Sequence, residues 1–443
     1  MNPEFRDDIA MKPQPVSAFD FFTPVTWGTL FLTVFSGIFV AVYYVPSFAQ
    51  AFSSVERLNG QVPFGWMIRR LHGAGGNFLL ILLFARLLWV FCRGEYKAGP
   101  RTAWGIGIFS LWLTIWANFS GFFLVLSQSA FWGTASVLSN LSSLPLIGGL
   151  AVDFLRGGKE LGGVALSRFY SMHIGLSALV ALLLFQLWHQ RQRIAGKDAG
   201  EEDPIRFRAG LFAAAVAGAI LMSVAFAPDW FSDPLKEAAN PMVNPDWISP
   251  PWYFLFLEEA FKFITAAYPS LSLIALTIFA ILLFFLPYID RNPEQKLLLR
   301  PASLSLGAGL LVAFIYFSLL GAANANYGEK IVLPERDLSS SEIRGARVFA
   351  EKNCAYCHQV FGHGGRREGP DMAVVKQRLR SPDWVKRFIL NARLYQAGTT
   401  MPRYDIPLND LEALSAYLLS LDPKKRTFRA VDRGRLLDYE LAQ

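Results

Sequence analysis

Cysteine is scarce: three residues in 443, at positions 92, 354 and 357. That leaves no second cysteine pair for a structural zinc site and no ligand set for an iron–sulfur cluster. Charge is scarce too, since Asp, Glu, Lys and Arg make up 17% of the chain against about 25% in ordinary soluble proteins. Only five histidines are present, so any metal chemistry that uses imidazole has few candidates. Charges of both signs precede the first apolar run with no small-residue cleavage site, which predicts no removable signal peptide. The formal charge of +7 needs no nucleic acid, because basic loops and a basic tail supply much of it and no aromatic and basic groove for a single strand is visible. No nucleic-acid partner is expected.

What is plentiful is apolar surface: 53% hydrophobic residues, 38 Phe and a mean hydropathy of +0.31 are too apolar for a soluble chain of this length. Crossing a hydrocarbon core of about 30 Å takes roughly 20 helical residues. Seven runs suffice, near Val25–Tyr44, Trp66–Phe91, Trp104–Leu126, Phe169–His189, Ala209–Ala227, Leu271–Tyr288 and Ala302–Leu320. The short loops after spans two, four and six carry Arg93, Lys97 and Arg101, then Arg191, Arg193, Lys197, Arg206 and Arg208, then Arg291, Lys296 and Arg300. Basic residues accumulate on the cytoplasmic side, so the N-terminus is expected inside and the C-terminus outside, in the periplasm of a bacterial inner membrane.

After Leu320 the composition turns small and polar (GAANANYGEKIVLPERDLSSSE), and the rest reads as soluble. It contains Cys-Ala-Tyr-Cys-His from Cys354 to His358, a c-type haem attachment signature. Cys354 and Cys357, one helical turn apart, can form thioethers to both vinyl groups, and His358 then meets the iron. Met401, on a later loop ahead of an amphipathic stretch, is the expected distal ligand, with His363 a solvated loop residue. Trp384 is either a haem-edge contact or an ordinary core residue. Haem c is attached outside the cytoplasm, which agrees with the orientation read from charges.

A metal-binding side chain within a membrane span is a functional candidate by default. His72 and His173 lie near the outer ends of spans two and four, at matching depth, as a bis-histidine haem b between two helices requires.

The segments FGWMIRRLHGAGGNF, SAFWGTASVLSNLSSLPLIG and LSRFYSMH resemble the cytochrome b subunit of respiratory and photosynthetic cytochrome bc complexes, from about Phe19 to Leu320. The tail resembles a small mono-haem cytochrome c of Met/His type, in which a Gly-Pro braces the proximal His; here that is Gly369-Pro370. The resemblance implies an all-α chain: a seven-helix transmembrane bundle followed by a small soluble helical domain. The expected divisions are residues 1–24 (cytoplasmic segment), 25–228 (haem-binding core and fifth span), 229–322 (outer loop and last spans), 323–341 (linker) and 342–443 (cytochrome c domain and tail).

By the same resemblance, Arg69 neutralises a haem propionate, and Gly37 and Gly121 let the macrocycle approach the helices. The family stacks two haems b, the second His on each helix lying about 14 residues, roughly 21 Å, beyond the first. Those positions are Arg86 and Leu187 or Trp188 here, and the span-one glycine is Thr23, although Gly107 on span three remains. One haem b and one covalent haem c are expected. His189 as sole protein ligand, with the propionates facing Arg86 and Cys92 as a thioether tether, leaves open a second, high-spin inner haem.

The family oxidises quinol at an outer Pro-Glu-Trp-Tyr motif whose Glu takes a proton. This chain has Pro251 in place of that Glu, then Trp252 and Tyr253, so proton acceptance passes to Asp246, Glu258 or Glu259; the expected quinone site is Trp252, Tyr253 and Glu258. Two functions follow. One is the b-plus-c subunit of a quinol:cytochrome c oxidoreductase. The other is a non-bifurcating electron-transfer and anchoring subunit of a larger periplasm-facing redox complex. Either implies a homodimer or multi-subunit complex in which an iron–sulfur protein or a further cytochrome c is a separate chain.

Overall fold

The computed structural model describes residues 18–97, 100–142, 144–158, 160–194, 204–226, 235–241, 250–264, 269–292, 294, 299–323, 330–363, 369–374, 381–396, 399, 401–422 and 427–438. The chain divides into two compact units, one from residues 1–121, 170–234 and 280–310, the other from residues 122–169, 235–279 and 311–443.

The first unit is built on long apolar helices: α1 (Ala18–Tyr43), α3 (Gly65–Arg93), α4 (Arg101–Leu124) as far as Gly121, α7 (Gly163–Ile194) from Tyr170, and α8 (Pro204–Phe226). A short α2 (Ala51–Gln61) joins α1 to α3. At its centre Leu30, Leu79, Leu83, Leu113, Val180 and Leu184 form one buried cluster contributed by α1, α3, α4 and α7. Five described helices, α1, α3, α4, α7 and α12 (Pro301–Ala323), are long and apolar enough to cross a membrane; Gly210–Ser223 and Leu273–Phe284 are shorter apolar stretches at the fifth and sixth expected spans.

The end of α3 shows how a polar group is accommodated at such a helix terminus. Gly94 closes α3 at φ +65°, and a Cβ there would fall 2.6 Å from the Arg300 guanidinium. Arg300, 4% exposed, donates to the terminal carbonyls of Phe91 (2.8 Å) and Cys92 (3.1 Å). A cation there satisfies carbonyls that the helix leaves without partners and meets its negative dipole end. The same guanidinium meets the Tyr96 hydroxyl (2.8 Å) and the Asp290 carboxylate (3.2 Å), and Lys97 pairs with Asp290 at 2.9 Å. Burial alone would raise the Asp290 pKa, but hydrogen bonds from Tyr96 and Lys97 outweigh it and hold the carboxyl below its ordinary range.

In the second unit, α5 (Gln128–Ser142) buries Phe131 and Trp132 completely, and α6 (Gly148–Arg156) leads towards the start of α7. Gln128 anchors this hairpin: its amide N–H donates to Glu237 O (3.0 Å) and its side-chain oxygen accepts from Asn240 N–H (2.6 Å). Helices α9 (Trp252–Ile264) and α10 (Pro269–Phe284) follow, then a short α11 (Leu286–Ile289) in the first unit and the end of α12.

The C-terminal part is a helical domain with a small sheet. Its helices are α13 (Ser340–Glu351), α14 (Cys354–Cys357), α15 (Pro382–Leu390), α16 (Leu408–Ser420) and α17 (Arg433–Asp438). Strand β1 (Lys330–Pro334) pairs antiparallel with β2 (Phe428–Asp432), in register from Lys330↔Asp432 to Pro334↔Phe428. Residues 330–334, which read as linker, therefore belong to the domain: Ile331, Val332 and Leu333 are buried in its core, and the Tyr417 hydroxyl donates to Val332 O at 2.7 Å. Three consecutive apolar residues within a polar run are too short a signal for a strand without the distant partner that completes it.

Helices α13 and α16 meet at Gly345, where a Cβ would lie 2.0 Å from Ala413 O. Since that obstacle is backbone, Gly345→Val is expected to destabilise the domain by about 1–3 kcal/mol or more, read from urea unfolding followed by Soret circular dichroism. Helix α13 opens with a capping box, Ser339 and Glu342 exchanging hydrogen bonds. Hydrogen bonds from Arg336 and then Ser339 outweigh partial burial and depress the Glu342 pKa. A depressed folded value stabilises fully above the unfolded value and is lost as pH falls through the folded one. Glu342→Gln is expected to cost about 1 kcal/mol at neutral pH and to flatten the acid limb of domain stability in the same assay.

Candidate functional site

His72 on α3 and His173 on α7 face each other with ring centroids 5.9 Å apart and planes at 82°. Two imidazoles on opposite sides of one metal, each with a bond of about 2 Å, stand roughly 6 Å apart centre to centre. Each ring is oriented by the carbonyl of a facing helix. His72 Nδ1 donates to Thr33 O on α1 at 2.9 Å, and His173 Nδ1 donates to Ala117 O on α4 at 2.8 Å, with Ser120 Oγ 3.2 Å away. A proton committed to Nδ1 leaves Nε2 as the ligating nitrogen.

One turn beyond each carbonyl stands a glycine. A Cβ at Gly37 would come within 2.7 Å of His72 Cε1, and one at Gly121 within 2.8 Å of His173 Cε1. The two half-sites, Thr33–Gly37–His72 and Ala117–Gly121–His173, therefore repeat one arrangement. Donor set, ring spacing and glycine clearance all fit a bis-histidine haem b. Arg69, three residues before His72, donates to Asn59 Oδ1 at 3.0 Å, near the same end of α3.

The inner positions do not repeat it. Arg86 and Leu187 line a cavity of about 40 Å³ with Leu83, Tyr96, Trp104 and Gly107 among its other walls. Neither Arg86 nor Leu187 offers a haem ligand. His189 stacks on Phe185 with centroids 6.3 Å apart, and the Cys92 thiol lies 3.4 Å from where a Gly307 Cβ would be. Neither is among the residues lining that cavity.

In the C-terminal domain, α14 holds Cys354 and Cys357 on a single turn, entered through Asn353 at φ 54°. His358 Nδ1 donates to Pro370 O at 2.9 Å. Burial, opposed by that bond, keeps His358 below the ordinary histidine range, so it is neutral with Nε2 free. A Cβ at Gly369 would sit 2.1 Å from His358 Cε1, which explains the glycine beside the bracing proline. Asp371 fixes the loop by accepting from Phe361 N–H (3.1 Å) and Ala373 N–H (2.8 Å). Met401, Cys354, Tyr404 and Trp384 pack on the same core. Two thiols, one neutral imidazole and a thioether fit a covalently held haem c. His363 is exposed, its ring against Phe428 at 4.7 Å.

On α9, Tyr253, Glu258 and Glu259 are buried, at 7%, 5% and 3% exposure. The Trp252 and Tyr253 rings meet edge to face at 5.6 Å, and burial pushes the Tyr253 phenol up, keeping it protonated. Pro251, Leu255 and Glu258 follow the i, i+4, i+7 spacing of one helix face, and all three are buried. Asp246, the third expected acceptor, lies outside the described residues. The carbonyls of Thr33 and Ala117 were not named by sequence reasoning, although each lies four residues before a flagged glycine; that offset was the available signal.

Three family profiles match in order along the chain: cytochrome b/b6/petB over residues 9–192, cytochrome b (C-terminal)/b6/petD over residues 238–333, and cytochrome c over residues 343–422. Among solved structures, a chain of one titled "Hyperthermophilic respiratory Complex III" superposes with a TM-score of 0.62 at 22% identity, over 70% of this chain and 85% of that one. That likeness concerns the fold. The chain therefore carries, in order in one polypeptide, regions that match the N- and C-terminal cytochrome b profiles and the cytochrome c profile, and is a membrane electron-transfer subunit.

Proposed function

We propose that this chain is the b-plus-c subunit of a quinol-oxidising complex, with one haem b on His72 and His173 and one haem c on Cys354, Cys357, His358 and Met401. The observation that carries the reading is the mirrored pair of half-sites at His72 and His173, each with its carbonyl and its glycine. Each haem, when bound, carries one electron at a time. Arg69 supplies positive charge for a propionate. Tyr253, kept protonated by burial, donates a hydrogen bond to a quinol or quinone oxygen against the Trp252 ring. Glu258 takes the proton-accepting role two turns along the face from Pro251. The N-terminus lies on the cytoplasmic side of a bacterial inner membrane and the cytochrome c domain in the periplasm. The complex is a homodimer or larger assembly, with an iron–sulfur protein or a further cytochrome c as a separate chain.

A second reading, an electron-transfer and anchoring subunit that does not bifurcate electrons, is favoured by Pro251 at the acid's place and by Arg86 and Leu187 at the inner ligand positions.

Pyridine haemochrome spectra of the purified protein are expected to give haem b and haem c in a ratio near one. His72→Ala, His173→Ala, Gly37→Val and Gly121→Val should each abolish haem b and retain haem c, whereas a ratio near two would require an inner haem. Quinol added to the isolated protein is expected to reduce haem b under the first reading and not under the second. With quinol active, Glu258→Gln should slow that reduction by about 10²-fold or more, the usual contribution of a positioned base, with spectra and haem content unchanged.

A further inference from the structure

Two buried serines flank the bis-histidine site. Each glycine that clears an imidazole is preceded by one, Ser36-Gly37 on α1 and Ser120-Gly121 on α4, and both serines are 1% exposed. Each hydroxyl reaches the carbonyl that holds the neighbouring histidine. Ser36 Oγ donates at 3.0 Å to Thr33 O, to which His72 Nδ1 also donates. Ser120 Oγ donates at 2.8 Å to Ala117 O, to which His173 Nδ1 also donates.

A serine or threonine within a helix ordinarily bonds the carbonyl four residues back. Thr33, Ser110, Thr114 and Ser177 do so here, donating to Thr29, Ile106, Ser110 and His173. Ser36 does so as well, since its shorter bond, 2.7 Å, goes to Leu32 O. Ser120 takes the carbonyl three residues back instead, and that choice brings its Oγ to 3.2 Å from His173 Nδ1. A hydroxyl has one proton and two lone pairs. With the proton on Ala117 O, a lone pair faces the imidazole N–H. His173 thus has both Ala117 O and Ser120 Oγ as acceptors, whereas His72 has Thr33 O, a carbonyl on which Ser36 already draws.

The two half-sites are therefore alike in shape and unequal in chemistry. An imidazole whose N–H is more strongly accepted is the more basic ligand, and hydrogen bonding behind an axial ligand is one of the means by which a protein sets a haem potential. We propose that Ser120 is a positioning residue that tunes haem b: its hydroxyl accepts from His173, makes that imidazole the more electron-rich axial ligand and favours ferric iron. Ser36 acts in the opposite sense, weakening the hold of Thr33 O on His72. Ser120 also draws on Ala117 O, but polarisation through a carbonyl changes a bond by roughly 10–30%, less than an acceptor in contact with the N–H contributes. The inference rests on haem b lying between His72 and His173, as proposed above.

The test is a spectroelectrochemical titration of the purified full chain, with haem b read at its own α-band. At a potential fixed at the wild-type midpoint, Ser120→Ala is expected to raise the ferrous-to-ferric ratio about threefold, the worth of a hydrogen bond at the low end of its usual range. For a one-electron couple that is a shift of about +28 mV. Ser36→Ala should lower the ratio about twofold. Ser120→Cys, a weak acceptor of similar size, should fall between serine and alanine, and it carries the test if Ser120→Ala fails to hold haem. Ser110→Ala, which removes a buried hydroxyl bonded to Ile106 O alone, should leave the ratio unchanged. Haemochrome spectra verify one haem b per haem c in each variant. A Ser120→Ala ratio equal to that of Ser110→Ala, or lower than wild type, would overturn the proposal, and so would a Ser120→Cys ratio that matches wild type. A higher ratio in Ser36→Ala would remove the role assigned to Ser36. Absence of haem b from the wild-type protein would remove the bis-histidine reading and this inference with it, whereas haem b present with an unmoved potential would overturn this inference alone.

Discussion

Everything at the bis-histidine site depends on one constraint: an imidazole within an apolar helix bundle must give its Nδ1 proton to something, and the nearest acceptors are already used by helices. Thr33 and Ala117 resolve this by accepting a further hydrogen bond on carbonyls one turn ahead of a glycine. The glycine matters because a Cβ there would strike the ring that the carbonyl holds. One arrangement thus fixes the tautomer, aims Nε2 and clears the approach, and its presence on both α1/α3 and α4/α7 makes the pair symmetric. An orphaned polar group in hydrocarbon costs several kcal/mol, so neither histidine is an incidental occupant of its helix.

The inner half of the same bundle shows what happens without that constraint. The Leu30–Leu184 cluster fills the level between the two haem positions, and below it Arg86 and Leu187 share the walls of a small cavity. Polar demands at this end are met at the helix terminus, where Arg300 caps α3 and meets Asp290 and Tyr96. A bundle that held haem here would need glycine clearance and acceptor carbonyls for two more imidazoles. Gly107 alone remains of that set, beside Leu87 at 3.1 Å from its would-be Cβ.

The helical bundle and the pairing of His72 with His173 were legible in the sequence because they rest on strong local signals: long apolar runs and a depth-matched histidine pair. Hydrophobic length and ligand spacing are properties of the segment itself and survive without knowledge of its neighbours. What escaped was set by pairing at a distance. Strand β1 reads as linker because its partner β2 lies almost a hundred residues on, at the other end of the domain. Arg300 reads as one more cytoplasmic loop charge, yet it is nearly buried across the α3 terminus. Glu258 was selected for its chemistry, and the helix spacing then placed it on the buried face with Pro251.

The β1–β2 clasp also changes how the cytochrome c domain is to be regarded. With Lys330 already in the sheet and α12 ending at Ala323, six residues separate the transmembrane helix from the folded domain, a reach of at most about 25 Å when fully extended. A leash of that length confines the domain near the end of α12, and it cannot carry an electron to a distant acceptor by diffusion. Reactivity then depends on which face the tethered domain offers and how readily it can be uncovered. The Arg393–Glu160 pair joins a nearly buried guanidinium to an open carboxylate, 13% and 61% exposed, so breaking it would leave a partly desolvated charge without that partner.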